Sequence, residues 1–141
     1  MEINDPLSVK EKIALRRRLS RFLKNMTDRQ KECAKFILRD LIIAVGGGRE
    51  ETELIREYLK TLSMEDPRRH SVEGKLSPGA GDIKRMLDAS GKQESLYTLQ
   101  IVNIEDRGGR KSKRVSLTDF GRELTKRPGQ ISPANGLDGS A

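Results

Sequence analysis

The chain has 141 residues, of which 34% are hydrophobic and 35% charged, a composition that allows one domain with a modest core. A single cysteine and a single histidine exclude an internal disulfide and a cysteine zinc cluster, and they argue against histidine metal sites and histidine-based catalysis. The sequence has no apolar run long enough to cross a bilayer and no signal-peptide pattern, so we expect a cytoplasmic protein. No pair of carboxylates with a base or metal ligand stands out, so we expect that it is not an enzyme and needs no cofactor.

The net charge of +7 is concentrated in two segments. Residues 10–24 carry seven basic residues against the single acidic Glu11, and residues 107–127 carry eight against two acidic residues, a balance of +6 in each segment. The remainder of the chain therefore carries −5. Two basic segments on an otherwise acidic chain indicate a directed contact with a polyanion, although a solvated face is an equally good interpretation of the first segment alone.

The first predicted helix covers residues 7–26 and is amphipathic. One side of it is apolar and the opposite side is basic. The apolar set is Leu15, Leu19, Phe22 and Met26, and the basic set is Arg17, Arg18, Arg21 and Lys24. Because this helix has one phenylalanine and no tryptophan to insert into a membrane, we expect it to pack on its own domain or on a partner subunit.

Two further helices are predicted before residue 63. The second begins at Thr27, which has the spacing of a capping pair with Gln30, and it ends near Val45; its apolar residues cover so much of its circumference that it must be buried. The glycines at 46–48 end this helix, since they lack the preceding strand and the lysine of a nucleotide-binding loop. The third helix covers about residues 50–62.

Residues 63–80 have no apolar period and are predicted to form a loop, in which SVEGKL (71–76) is the only candidate for a short strand. A short helix at 81–89 follows, because Ile83, Met86 and Leu87 form one apolar stripe.

For the next segment we prefer a second helix that runs to about Asp106 and is ended by the glycines at 108 and 109. Ser90 and Gln93 have the spacing of a capping pair. The buried stripe of this helix would be Tyr97, Ile101 and Ile104.

An alternative interpretation of the same segment remains open. LYTLQIVNIE (96–105) is rich in β-branched and aromatic residues, so it can be a strand that pairs with RVSL (114–117) across the basic loop DRGGRKSK (106–113). In this interpretation no helix forms at 90–106, and the helix at 81–89 is the one that directly precedes the strand pair. In both interpretations Thr118 caps a final helix.

The C-terminal third of the sequence resembles PadR-like and MarR-like winged-helix transcription regulators. The motifs that carry the resemblance are Leu96-Tyr97, Glu105 to Gly108, the basic run Arg110 to Arg114, Leu117-Thr118, Gly121-Arg122 and Leu124. The resemblance implies a mainly α fold with a small β-hairpin, namely a winged helix-turn-helix at 81–127 with extra N-terminal helices at 1–62. It also implies a homodimer that binds double-stranded DNA and regulates transcription.

The resemblance also implies which residues contact DNA. The expected base-side residues on the second helix are Gln93, Ser95, Thr98 and Leu99, and the expected phosphate-side residues in the wing are Arg110, Lys111, Lys113 and Arg114. A second function class is a winged-helix interaction module in a replication, transcription-initiation or RNA-containing assembly. The sequence identifies no effector ligand, and residues 128–141 have the composition of a disordered tail.

Overall fold

The computed structural model describes residues 7–109 and 111–126. This part of the chain forms five α-helices and three strands. In chain order they are α1 (Val9–Lys24), α2 (Asp28–Ile43), β1 (Gly48–Glu50), α3 (Glu51–Lys60), α4 (Pro78–Leu87), β2 (Val102–Glu105), β3 (Arg114–Leu117) and α5 (Asp119–Lys126). The predicted combination of a mainly helical chain with a small β-hairpin is confirmed, and β1 adds a strand that was not predicted.

The helices begin where side chains can bond the free N–H groups of a first turn. Thr27 Oγ1 accepts a hydrogen bond from Gln30 N at 3.1 Å, and Gln30 Oε1 accepts one from Thr27 N at 2.8 Å, which confirms the predicted capping pair. Thr118 Oγ1 likewise accepts from Gly121 N at 2.8 Å, so the predicted cap of the last helix is also confirmed. α4 begins earlier than predicted because Ser77 caps it and Pro78 occupies its first turn.

The three strands form an antiparallel sheet in the order β1-β3-β2. β1 follows directly after the glycine turn, in which Gly46 and Gly47 have φ of +79° and +77°. These left-handed conformations reverse the chain after α2 and let Gly48 enter the sheet opposite Ser116. SVEGKL, the only candidate for a short strand within residues 63–80, does not supply this strand, since Val72 and Lys75 form only an isolated bridge across a tight turn.

The preferred prediction of a helix ending near Asp106 is wrong, and the alternative strand, expected over residues 96–105, is confirmed only at Val102–Glu105. Residues 102–105 pair with residues 114–117 across the loop 106–113, in the register that places Ile104 opposite Val115. The chain before this strand forms turns, in which Ser95 and Thr98 exchange hydrogen bonds of 2.9 and 3.2 Å between side chain and backbone. Pairing with β3 places Val102 opposite Leu117, and both side chains are buried.

One apolar core joins the parts of the chain on both sides of residues 63–80. It includes Ile37 of α2, Tyr58 of α3, Ile83 of α4, Leu99 before β2 and Val115 of β3. The predicted division between an N-terminal helical region and a winged helix-turn-helix therefore does not separate two cores. The predicted tail at 128–141 lies outside the described residues, and no helix within them is long and apolar enough to span a membrane.

Candidate nucleic-acid interface

The four residues expected on a recognition helix do not form one surface. Ser95 and Leu99 are fully buried, because the turns before β2 fold them into the core. The hydroxyl of Thr98 is half-buried and donates to Glu94 Oε1 at 2.8 Å. Only Gln93 is exposed, in the turn before Glu94. These positions cannot act together on DNA, because the helix that would have aligned them is absent.

The wing residues lie in or beside the loop that joins β2 to β3. Lys111 is exposed, Lys113 is half-buried, and Arg110 lies outside the described residues. Arg114 is the first residue of β3, and its guanidinium lies across the backbone of β1 rather than at the loop tip. A Cβ on Gly48 would be 2.9 Å from Arg114 Nη2, so the missing side chain of this glycine makes room for the arginine. The structure thus separates Arg114 from the other two cations.

The base of the loop is held against the first turn of α3. Arg107 Nη2 lies 2.7 Å from Glu50 Oε2, and the Glu51 backbone N–H donates to Lys113 O at 2.8 Å. A third contact joins Thr52 N to Ser112 Oγ at 3.2 Å. Arg107 was not among the contact residues expected from the sequence, although it belongs to the basic loop at 106–113. These contacts fix the direction in which the loop leaves the sheet.

α4 lies on the other side of the same turn of α3. Its residues Lys84 and Arg85 are exposed, whereas Ile83 faces the core. Lys84 Nζ lies 3.3 Å from Glu51 Oε1, so Glu51 contacts both α4 and the base of the wing. We call the five cations Lys84, Arg85, Arg107, Lys111 and Lys113 the α4–wing surface.

A groove of about 490 Å³ borders α4. Its walls come from the α1–α2 turn, from α4 and from residues 93–94, and they include Phe22, Asn25, Arg29, Asp82 and Arg85. The Asp82 carboxylate is almost buried and bridges two arginines: Arg29 Nε lies 2.7 Å away and Arg85 Nη2 lies 2.8 Å away. Asp82 therefore fixes the N-terminal end of α2 against α4.

The described residues offer charged surfaces rather than reactive groups. Cys33 contributes to the groove, but burial raises the pKa of its thiol to about 12, which keeps it protonated at neutral pH. Burial also raises the pKa of Tyr58 to about 12. No group of three or more acidic, histidine or cysteine side chains that could hold a metal ion occurs in residues 7–109 and 111–126.

Comparison with known proteins gives no match: no family model matches the sequence, no curated protein matches it, and no solved structure matches the chain.

Proposed function

We propose that this chain is a winged-helix protein that binds double-stranded DNA and acts, as a homodimer, in transcription regulation. The observation that carries the proposal is the pairing of β1 with the β2–β3 hairpin. The order α2, β1, α3, α4, β2 and β3, with β3 in the middle of the sheet, is the order expected of a winged helix. It supports a fold in which a helix pair and a basic loop contact one duplex.

In this proposal α4, rather than residues 90–106, enters the major groove. Lys84 and Arg85 are its exposed cations, and Arg85 has the guanidinium that binds the two acceptors of guanine in a fork. In the first half of α4, Gly79 is buried against α3, where an added Cβ would lie 2.7 Å from Leu59 Cδ2, and the Asp82 carboxylate is held by two arginines. Base recognition is therefore assigned to Lys84 and Arg85 in the C-terminal half of α4.

The wing supplies phosphate contacts that do not distinguish sequences. Lys111 and Lys113 form no ion pair with another described residue, so a duplex would not have to displace a carboxylate from them. Each phosphate contact should add about −0.9 to the slope of log K against log salt. Replacing both lysines by alanine should reduce the magnitude of that slope by about two in each protomer.

Fluorescence anisotropy with a labelled mixed-sequence duplex at low salt tests the proposal. The Lys111→Ala/Lys113→Ala variant should lose affinity and salt dependence, whereas Lys84→Ala/Arg85→Ala should also change the sequences selected from a random pool. The matched control is Arg39→Ala/Arg56→Ala, which removes the same charge from exposed positions of α2 and α3. The proposal fails if the folded protein binds no duplex at low salt, or if the control loses as much affinity as the wing variant.

A second candidate is an interaction module that binds another protein. The first turn of α3 is acidic, and its Glu50 and Glu51 already hold Arg107 and Lys84. Val72 and Leu76, in the turn before α4, are exposed apolar residues of the kind found at protein contacts. This candidate gains support if the protein binds no duplex while Leu76→Glu abolishes association with a partner.

A further inference from the structure

The basic residues of α1 fall into two sets with different surroundings. The inner set is held by carboxylates of other elements: Lys12 Nζ lies 2.9 Å from Glu123 Oε1, and Arg18 donates to both oxygens of Glu94 at 2.9 and 2.8 Å. Arg18 also donates to Thr98 O at 3.2 Å. The expectation that Arg18 lies on the outer side of the helix is therefore wrong, because Glu94 draws it toward the turns before β2.

The outer set is a row of four exposed cations at positions 10, 17, 21 and 24 of the chain. Steps of seven, four and three residues return to the same side of an α-helix. We call this set, Lys10, Arg17, Arg21 and Lys24, the α1 cation row. None of its members forms an ion pair with another described residue, in contrast to Lys12 and Arg18. The row extends over about 21 Å at 1.5 Å per residue.

The C-terminal end of the α1 cation row lies close to α4. Phe22 and Asn25, which flank Lys24 in the sequence, line the groove that Arg85 lines from the other side. Arg29 crosses from the start of α2 to Asp82 of α4, which places another cation between them. The groove thus separates the C-terminal end of α1 from Arg85 of the α4–wing surface, and its walls carry Arg29 and Arg85 together with the carboxylates of Asp82 and Glu94.

We propose that the α1 cation row binds the phosphates of the duplex beyond the segment contacted by α4 and the wing. The inference rests on the proposed function, because it assumes that α4 contacts the duplex. A straight row of cations is complementary to a duplex, which carries about one negative charge per 1.7 Å of its axis. The direction of the row is fixed before binding, since Arg18 and Lys12 tie the inner side of α1 to Glu94 and Glu123.

A membrane surface is a poorer partner for the same row. An amphipathic helix binds lipid by inserting its apolar side below the headgroups. Most of the apolar side of α1 packs within the protein, because Leu15 and Leu19 are buried in the core, and of its large apolar residues only Val9 and Ile13 remain exposed. The hydrogen bond from Arg18 to Glu94 is the largest cause of the lowered pKa of that carboxyl, and such charge-assisted contacts favour α1 remaining in place.

The test compares the full chain on two mixed-sequence duplexes. A duplex of about 12 base pairs covers roughly one helical turn, whereas one of about 30 base pairs extends past it. Arg17→Ala/Arg21→Ala should weaken binding to the long duplex by about tenfold and reduce its salt slope by about two per protomer, with little effect on the short duplex. The control Arg39→Ala/Arg56→Ala removes equal charge elsewhere and should leave the difference between the duplexes unchanged.

Each result decides between the proposals. If the wild type binds neither duplex, both this inference and the proposed function are overturned. If the wild type binds and Arg17→Ala/Arg21→Ala loses nothing, or loses equally on both duplexes, only the inference is overturned. The inference is also overturned, in favour of a lipid surface, if Arg17→Ala/Arg21→Ala loses binding to anionic vesicles and keeps its binding to both duplexes. Unchanged melting curves of the variants exclude misfolding as the cause of a loss.

Discussion

Gly121 illustrates how a single missing side chain sets the position of α5. A Cβ at this residue would overlap Ile101 O and lie 3.0 Å from the Ile101 carbonyl carbon, whereas Thr118 N donates to that same oxygen at 3.0 Å. Gly121 is therefore required for the first turn of α5 to rest on the backbone that leads into β2. A rigid backbone neighbour cannot move aside as the end of a flexible side chain can.

We predict that Gly121→Ala lowers the free energy of unfolding by about 1–3 kcal/mol or more, the usual cost of overpacking a dense region. The matched control is Gly81→Ala in α4, where a Cβ would meet only the end of the Arg85 side chain, at 3.4 Å. The control should gain about 0.5–1 kcal/mol from helix propensity. Denaturant titration measures both, and equal stabilities for the two variants would contradict the close approach of α5.

Glu94 supports a prediction about pH. The hydrogen bond from Arg18 holds the pKa of this carboxyl below its ordinary value of 4.5, with a further contribution from the Thr98 hydroxyl. Since the folded-state pKa is lowered, the stabilisation is complete above about pH 5 and is lost as the pH falls through the folded-state value. The free energy of unfolding of the wild type should fall more steeply on acidification below pH 4.5 than that of Glu94→Gln. Parallel acid profiles for the two proteins would contradict the pairing.

At the scale of elements, the helices with strong local signals and the strand at 114–117 were predictable, whereas β1 was not. α2 was expected at 27–45 and covers Asp28–Ile43, because its capping pair and its apolar circumference are both local features. β1 has three residues and no period of its own; it exists because Val115, far along the chain, pairs with Arg49. Such non-local pairing leaves no signal in the short segment itself.

The preferred prediction for the segment around residues 96–105 was wrong for a related reason. Its sequence has both the apolar stripe of a helix and the composition of a strand. Only pairing with β3 decides between the two structures. The candidate site followed the same division. The basic loop between β2 and β3 could be predicted from the sequence, whereas the neutralisation of Lys84 and Arg107 depends on the distant Glu50 and Glu51.

Those two glutamates lead to a prediction about the strength of DNA binding. Glu51 holds Lys84 at 3.3 Å beside the base of the wing, so in the proposed complex it would repel nearby phosphates and compete for the lysine. Glu51→Gln should therefore raise duplex affinity about three- to tenfold at low salt, with a smaller gain at high salt because surface charges are screened. Glu57→Gln, which removes a charge that pairs with Lys60 in the same helix, is the control. Equal gains in both variants would show that only net charge matters.

At the scale of the whole molecule, α1 is attached by apolar and ionic contacts. It buries Leu15 and Leu19 and packs Phe22 against the core, and ion pairs with Glu94 and Glu123 add to these contacts. Its side next to Lys12 exposes Val9 and Ile13, which are 75% and 45% accessible and lie four residues apart. An exposed apolar stripe on a helix already fixed to the core by these contacts is a surface on which a second copy can pack.

We therefore predict a homodimer that forms through α1. Light scattering at micromolar concentration should give about twice the chain mass of 15.9 kDa for the wild type and 15.9 kDa for Ile13→Glu. Ile43→Glu is the matched control, because Ile43 is 73% exposed at the end of α2 and receives the same charge. A wild-type mass of 15.9 kDa would contradict the dimer, and dissociation of Ile43→Glu alone would move the interface to α2.

The same variants connect association with DNA binding. A dimer brings two α4–wing surfaces and two α1 cation rows to one duplex, so dissociation should halve the number of phosphates contacted. Because each contact contributes about −0.9 to the salt slope, Ile13→Glu should show roughly half the wild-type slope, whereas Ile43→Glu should keep all of it. A monomeric Ile13→Glu variant with the full wild-type slope would mean that one protomer alone makes every contact with the duplex, and the proposed coupling between the two copies would be wrong.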